Sequence, residues 1–369
     1  MKLIYLTAVG IPTGWAHSNQ IMEMCNAFAK QGIEVELVVA KRRNEIKSDP
    51  FIFYGLENRF KITKLFCLDL APNNPGAFYF WLRLTSFLFF ARLYLWFKKY
   101  DILYTREQFS GFIFKNFVLE LHSFPEKVAF LQRKIWRKAK RVVVITSFLK
   151  NNLVKEKIKE SKILVASDGV NLNNFTPSIS KKEARQKVGL PLDKKIVFYH
   201  GSFFSHNWKG VDILLESAKY FPNNHLLVLV GGSAREIDRA KKMYPAENIL
   251  FVGHQPYREM PYYLRAADIM VLPNKGGDKI SEEYTSPMKL FEYMASGNPI
   301  VASGLPSIRE ILNENNSVLV EPNDGRSLAA GVNSLSESSD LAQRIASQAF
   351  VDVQGYTWDA RAKRIIDFI

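Results

Sequence analysis

The sequence predicts an α/β protein of two Rossmann-like domains facing across a cleft, and three observations lead there. Short apolar runs of strand length recur along all 369 residues, separated by stretches whose apolar positions follow helical spacing. The series is interrupted once, at 169–195, by a segment rich in Asn, Pro, Gly and charge, and then starts again. The length suits two domains of ordinary size.

The first series opens with a buried strand at 3–6. A loop carrying Gly10, Pro12 and Gly14 follows, then a helix from about Ser18 with Ile21, Met24, Cys25 and Phe28 at helical spacing, ended by Gly32. A strand at 34–39 completes a strand–helix–strand unit. The glycines form neither the dinucleotide fingerprint nor the P-loop pattern, so the loop is expected only to approach a ligand at the strand's C-terminal end. His17, just before the helix, reads by itself as a capping or surface residue. Further strands are predicted at 102–105, 117–121, 142–145 and 163–166. Arg106 and Glu107 follow one of them and His122 another, at the ends where parallel sheets place site residues. The second series is predicted at 196–199, 226–230, 249–252, 269–272, 299–302 and 318–320.

Residues 76–99 are dense in Phe, Tyr and Trp, with Arg83 and Arg92 between them. A spanning helix needs about 20 residues nearly free of charge, so no span is predicted. A buried core helix is the leading reading. A helix lying on a membrane surface, with Trp and Phe beside Arg and Lys, is the alternative. The net charge of +14 points to an anionic partner: nucleic acid, an acidic membrane face or a phosphate-bearing substrate. The positive charges are spread along the chain without a nucleic-acid recognition motif, so no nucleic-acid partner is expected. Cys25 and Cys67 offer neither a disulfide framework nor metal-ligand spacing, and a cytoplasmic setting is the expectation. The N-terminal apolar run is too short for a signal peptide.

The strongest local signal lies at 281–303. Ser286 suits an N-cap, Pro287 the first helical position, and Gly297 the left-handed residue that ends a helix. Such a helix start offers N–H groups and a positive dipole end to a diphosphate, and Glu292 further in could take a sugar hydroxyl. The plain alternative is a packing helix with Lys289 and Glu292 as a surface pair. Upstream, Lys209 follows the turn at Gly201 and stands at a helix start, which suits a phosphate.

Taken in order, Trp208-Lys209-Gly210-Val211-Asp212, Phe251-Val252-Gly253-His254, Ala266-Ala267-Asp268 with Leu272-Pro273, the run Ser286-Pro287-Met288-Lys289-Leu290-Phe291-Glu292-Tyr293-Met294-Ala295-Ser296-Gly297, and Pro306-Ser307-Ile308-Arg309-Glu310 resemble the family-four retaining glycosyltransferases of the GT-B fold. The resemblance covers nearly the whole chain and is strongest in its second half. It implies an acceptor-side domain at 1–170, with a C-terminal helix at 355–369 packing back on it, and a nucleotide-sugar domain at 171–354. It implies that Glu292 holds the nucleotide ribose and Lys209 the diphosphate, that the base lies near His254, and that His122 faces the transferring sugar. His122, Lys209 and Glu292 are thus the candidate catalytic residues. Gly14, Ser202, His254, Glu283, Tyr284, Ser286, Pro287, Met288 and Lys289 are candidate donor contacts, and His17 and Arg106 candidate acceptor-side residues.

Two positions depart from the family pattern. Tyr284 stands where the first glutamate of a spaced pair is expected, with Glu283 one place off. Ser202 stands where a diphosphate arginine is expected. The resemblance implies a UDP- or GDP-sugar donor and a glycan or lipid-linked acceptor in cell-surface biosynthesis. No cofactor is expected, and no metal, because no Asp-x-Asp occurs in the chain. A sugar-nucleotide epimerase of the same architecture and a basic binding protein without turnover stay open as alternatives. So does a peripheral position on the inner face of an anionic membrane.

Overall fold

The computed structural model describes residues 1–43, 46–71 and 76–369. Its backbone divides into two compact units, Met1–Ser167 together with Trp358–Ile369, and Asp168–Thr357.

The first unit is built on β1 (Lys2–Thr7), β2 (Glu34–Ala40), β3 (Lys61–Leu65), β4 (Ile102–Thr105), β5 (Phe117–Leu121), β6 (Arg141–Val144) and β7 (Ile163–Val165). They form one sheet in the order β3-β2-β1-β4-β5-β6-β7, with parallel pairing throughout. A parallel sheet is covered on both faces, which is why β1, β4 and β6 are carried by apolar runs, while β5 buries Glu120 among its apolar residues. β3 was not among the expected strands. It is an edge strand, only partly buried, and Lys-Ile-Thr-Lys-Leu lacks the apolar run that marks an inner strand. Strand order reverses between β1 and β4, so polar residues after β1, β4 and β5 gather at one end of the sheet. The helix Trp358–Phe368 closes this unit by packing on the helix Ala16–Lys30, with Lys30 Nζ 3.4 Å from Asp359.

The aromatic segment forms the helix Ala77–Trp96. The expected buried core helix is corrected: only Leu84, Phe87, Leu88, Ala91 and Leu95 are buried, a single stripe at helical spacing. Tyr94 Oη donates to Glu36 Oε1 of β2 at 2.5 Å and Lys98 Nζ to Oε2 at 3.3 Å, which anchors that stripe to the sheet. The opposite face carries Phe78, Phe89 and Trp96 exposed, and Phe97 just beyond the helix is 87% exposed. Among the described residues no helix is long and apolar enough to cross a membrane.

The second unit holds β8 (Lys195–His200), β9 (His225–Val230), β10 (Ile249–Val252), β11 (Ile269–Leu272), β12 (Ile300–Ser303) and β13 (Val318–Val320), in the parallel order β10-β9-β8-β11-β12-β13. Its reversal falls between β8 and β11. The Ala-Ala-Asp motif is structural: Asp268 accepts from Lys181 Nζ at 2.8 Å, Arg185 Nη2 at 2.5 Å and the Ile196 amide at 2.7 Å. It ties the helix Lys181–Val188 to the N-terminal end of β8. Gly210 has φ +68°, and a Cβ there would sit 1.7 Å from the Pro273 carbonyl oxygen. Gly231 has φ +117°, and its Cβ would lie 2.3 Å from the Gly201 oxygen. Both glycines permit backbone contact around the end of β8 that any side chain would break.

Gly210→Ala is expected to lower stability by at least ~2 kcal/mol, from backbone overlap and left-handed strain together. Gly14→Ala, whose Cβ would meet nothing within 4 Å, should leave the urea midpoint within error.

Candidate functional site

In the second unit, β8 delivers Tyr199, His200, Gly201 and Ser202 in succession to its C-terminal end. The 3-10 turn Asn207–Lys209 brings Lys209 back over this end, where Nζ donates to Ser202 Oγ at 2.7 Å. Lys289, from the helix Met288–Ala295, arrives from the other side. Its Nζ lies 4.0 Å from the centre of the Tyr199 ring, and a Cβ at Gly201 would be 3.0 Å from it. Two cations therefore flank Gly201 and Ser202. Among the described residues neither lysine is paired with a carboxylate. Burial lowers the Lys209 amine, partly offset by Glu236. Burial and the charge of Lys209 hold the Lys289 amine well below the usual lysine range. An anion placed between them would relieve both penalties.

The helix start differs in detail from the expected one. Pro287 is the N-cap and Met288 the first helical residue, and no side chain caps the helix. Ser286 is not the N-cap because its Oγ accepts the Asp168 amide at 3.0 Å instead. The first-turn N–H groups are thus left without a side-chain acceptor, next to Lys289. Gly297 takes the left-handed conformation at φ +69°. The surface-pair alternative for Lys289 and Glu292 does not hold. Glu292 is 2% exposed and turns inward, accepting from Tyr257 Oη at 2.6 Å, with His200 Nε2 3.0 Å away. A carboxylate can accept about four hydrogen bonds, so this grip leaves acceptor capacity for a hydroxyl.

Glu283 and Tyr284 lie in the π-helical turn Ile280–Tyr284, Tyr284 buried and Glu283 half-buried. His254 is exposed just beyond β10. Sequence reasoning missed Tyr199, whose ring lies under Lys289, Tyr257, which holds Glu292, and His200, which stands beside that carboxylate. It also missed Glu236, whose Oε1 takes the Phe204 and Ser205 amides at 2.9 Å each and orders the loop after Ser202. Burial pushes the Glu236 carboxyl up, but hydrogen bonds from Ser233, Ser205 and the Phe204 amide outweigh it and hold it at about 2. Tyr199 and His200 carried a signal, since they close the strand before the glycine turn. Tyr257 carried none.

In the first unit His122 follows β5, and its Nε2 lies 2.6 Å from Glu120 Oε1. Arg106, after β4, donates to Gln20 Oε1 at 2.7 Å and reaches the His17 carbonyl at 3.5 Å. His17 itself is pushed down to about 4 by desolvation and by the neighbouring Arg106 and His122. His17, Arg106 and His122 thus belong to one cluster. Gly14 lies in an exposed loop of this first unit.

Two doubly wound parallel units, the last helix returning to the first, and polar clusters where each strand order reverses define a GT-B protein. Solved structures agree. Sucrose-phosphate synthase of Thermosynechococcus elongatus matches 99% of this chain and 97% of its own with a TM-score of 0.79 at 19% identity. HepE of Anabaena, solved with UDP-glucose, matches 100% and 98% with a TM-score of 0.74 at 18% identity. The family model described as Glycosyltransferase Family 4 matches residues 17–174, and that described as Glycosyl transferases group 1 matches 180–351; the chain belongs to the family-four glycosyltransferases. Among curated relatives, the phosphatidyl-myo-inositol mannosyltransferase of Mycobacterium leprae is 28% identical over 207 residues, 55% of this chain and 53% of its own. The D-inositol 3-phosphate glycosyltransferase of Thermobispora bispora is 25% identical over 222 residues, 56% and 50%. The chain spans about half the length of the curated relatives it matches.

Lys289→Met removes a charge that the unliganded fold destabilises. Because the folded amine titrates below the unfolded one, the parent gains stability as pH rises through that interval, and the variant lacks the gain. At neutral pH the variant should be more stable than the parent by urea unfolding, the difference shrinking as pH rises into the ordinary lysine range. A less stable variant at neutral pH would contradict the charge argument.

Proposed function

We propose that this protein transfers a sugar, with retention of configuration and without a metal, from a UDP- or GDP-sugar to a glycan or lipid-linked acceptor of the cell surface. The observation that carries the reading is the pair Lys209 and Lys289 on either side of Gly201 and Ser202, neither in an ion pair with a carboxylate among the described residues. Breaking an anomeric C–O bond gathers negative charge on the departing diphosphate, and fixed positive groups aimed there lower the barrier. The uncapped first turn at Met288 adds N–H donors to the same place. Lys289 also supplies the charge that Ser202, standing where the family pattern has arginine, does not.

Glu292, held by Tyr257, would take the ribose hydroxyls. His122 would face the sugar, and Arg106 and His17 the acceptor. Retention follows if the acceptor attacks from the face the diphosphate leaves, its proton passing to the leaving phosphate. The names of the curated relatives, which act on inositol phosphates and their lipids, support a phosphorylated or lipid acceptor. HepE solved with UDP-glucose supports a uridine donor. A panel of UDP- and GDP-sugars assayed for nucleotide release tests this. Lys209→Ala should lower kcat by about 100-fold or more, and Glu292→Ala should raise the donor KM about tenfold. Equal turnover in parent and variants would overturn the site. A donor changed in the absence of any acceptor would make the protein an epimerase.

The open aromatic face of Ala77–Trp96 supports a peripheral membrane contact. A groove of about 760 Å³ at the end of that helix is lined by Lys2, Arg92, Trp96, Lys98, Lys99 and Lys115, and Arg92 stacks over Trp96 at 4.8 Å. Such pairing of aromatic and basic groups suits an anionic lipid surface. The protein should float with vesicles containing phosphatidylglycerol but not with phosphatidylcholine alone. Arg92→Glu with Lys99→Glu should abolish flotation, and flotation unaffected by the reversal would exclude this face.

A further inference from the structure

We propose that Glu120 is a positioning residue for His122: its buried carboxylate, anchored by Arg361 of the C-terminal helix, assigns the imidazole proton to Nε2 and fixes the ring at the end of β5. The proposal rests on the reading of His122 as a residue that meets the sugar.

Glu120 and His122 are two apart on a strand and its continuation, so their side chains leave the same face of the sheet. The Glu120 side chain has no exposure, and four elements send it a donor. Gln20 Nε2 of the helix Ala16–Lys30 reaches Oε1 at 2.9 Å, and Arg361 Nη2 reaches it at 2.8 Å. His122 Nε2 lies 2.6 Å from the same oxygen, and the Tyr104 hydroxyl of β4 donates to Oε2. Arg361 is equally buried and donates through Nε to the Ala166 and Ser167 carbonyls at 3.2 and 3.0 Å. Arg106 extends the network through Gln20.

Burial pushes the Glu120 carboxyl up, but Arg361, His122 and Arg106 outweigh it and hold it well below its usual range. An ionised carboxylate only accepts hydrogen bonds. The His122 nitrogen facing it therefore carries a hydrogen, and in the neutral ring the lone pair falls on Nδ1. The other titratable groups of this unit around the pair are Tyr5 of β1, His17 and Cys25 at and within the helix Ala16–Lys30, Tyr104 and Arg106.

A buried ion pair that served packing alone could be replaced by apolar residues without loss of function. Its exchange for a neutral pair therefore separates the two roles. Glu120→Gln with Arg361→Met removes both charges together, so neither is left buried alone. Ring nitrogen shifts in the full chain labelled with 15N-histidine, assigned by difference from His122→Gln, report the tautomer directly. The parent should show His122 protonated at Nε2 in its neutral form. The double variant, folded by circular dichroism, should lose that preference. Its kcat should fall about tenfold or more, with donor KM within twofold of the parent.

A parent His122 protonated at Nδ1 overturns the proposal, and that measurement needs no variant to fold. A double variant with the parent's tautomer and turnover overturns it as well. Failure of the parent to transfer sugar from any donor would instead sink the functional reading, and the ring tautomer would still decide the positioning.

Discussion

The carboxylate of Glu120, sealed from water and paired with Arg361, is the constraint on which the first unit depends. An isolated buried charge costs several kcal/mol, so every element around Glu120 must arrive with a donor correctly aimed. Gln20, Tyr104, His122 and Arg361 come from four places in the sequence, and Arg361 is 241 residues away. The last helix is thereby bound to the first sheet by charge as well as by apolar contact. Removing one partner would strand the other, which makes the return of the C-terminus a condition of the unit's integrity.

Charge is handled in the opposite way in the second unit. Asp268 is compensated by Lys181 and Arg185 at the N-terminal end of the sheet, where it locks the architecture. At the C-terminal end of β8, Lys209 and Lys289 face each other across Gly201 and Ser202 without an acid between them. A fold that satisfies its charges at one end of a sheet and leaves two cations opposed at the other stores free energy that an anionic ligand can recover. The close backbone approach at Gly210 and Gly231 belongs to the same arrangement, since side chains there would push the lysine-bearing turn away from the strand end.

The helix Ala77–Trp96 shows how composition can mislead. Its aromatic density suggests a core element, yet a helix on the face of a sheet buries only one stripe. The remaining Phe and Trp side chains must face outward whatever their hydrophobicity. Their company of Arg92, Lys98 and Lys99 matches the net positive charge of the chain.

Among the described residues, twelve of the thirteen strands could be read from short apolar runs, because parallel strands buried on both faces leave a local signature. β3 could not, because an edge strand does not need one. The sequence order of the Lys209, His254 and Glu292 motifs was enough to indicate the family. It did not show that Ser286 would serve the Asp168 amide rather than cap its own helix, nor that Glu292 would turn inward to Tyr257 and His200. Apolar patterning and glycine positions act over a few residues, and the sequence by itself determined the elements they define. Which partner each charge meets was decided only by the tertiary structure: Lys289 against the ring of Tyr199, Glu120 against Arg361. Electrostatic partners are chosen by distance in space and by the absence of water, and neither is written into neighbouring residues.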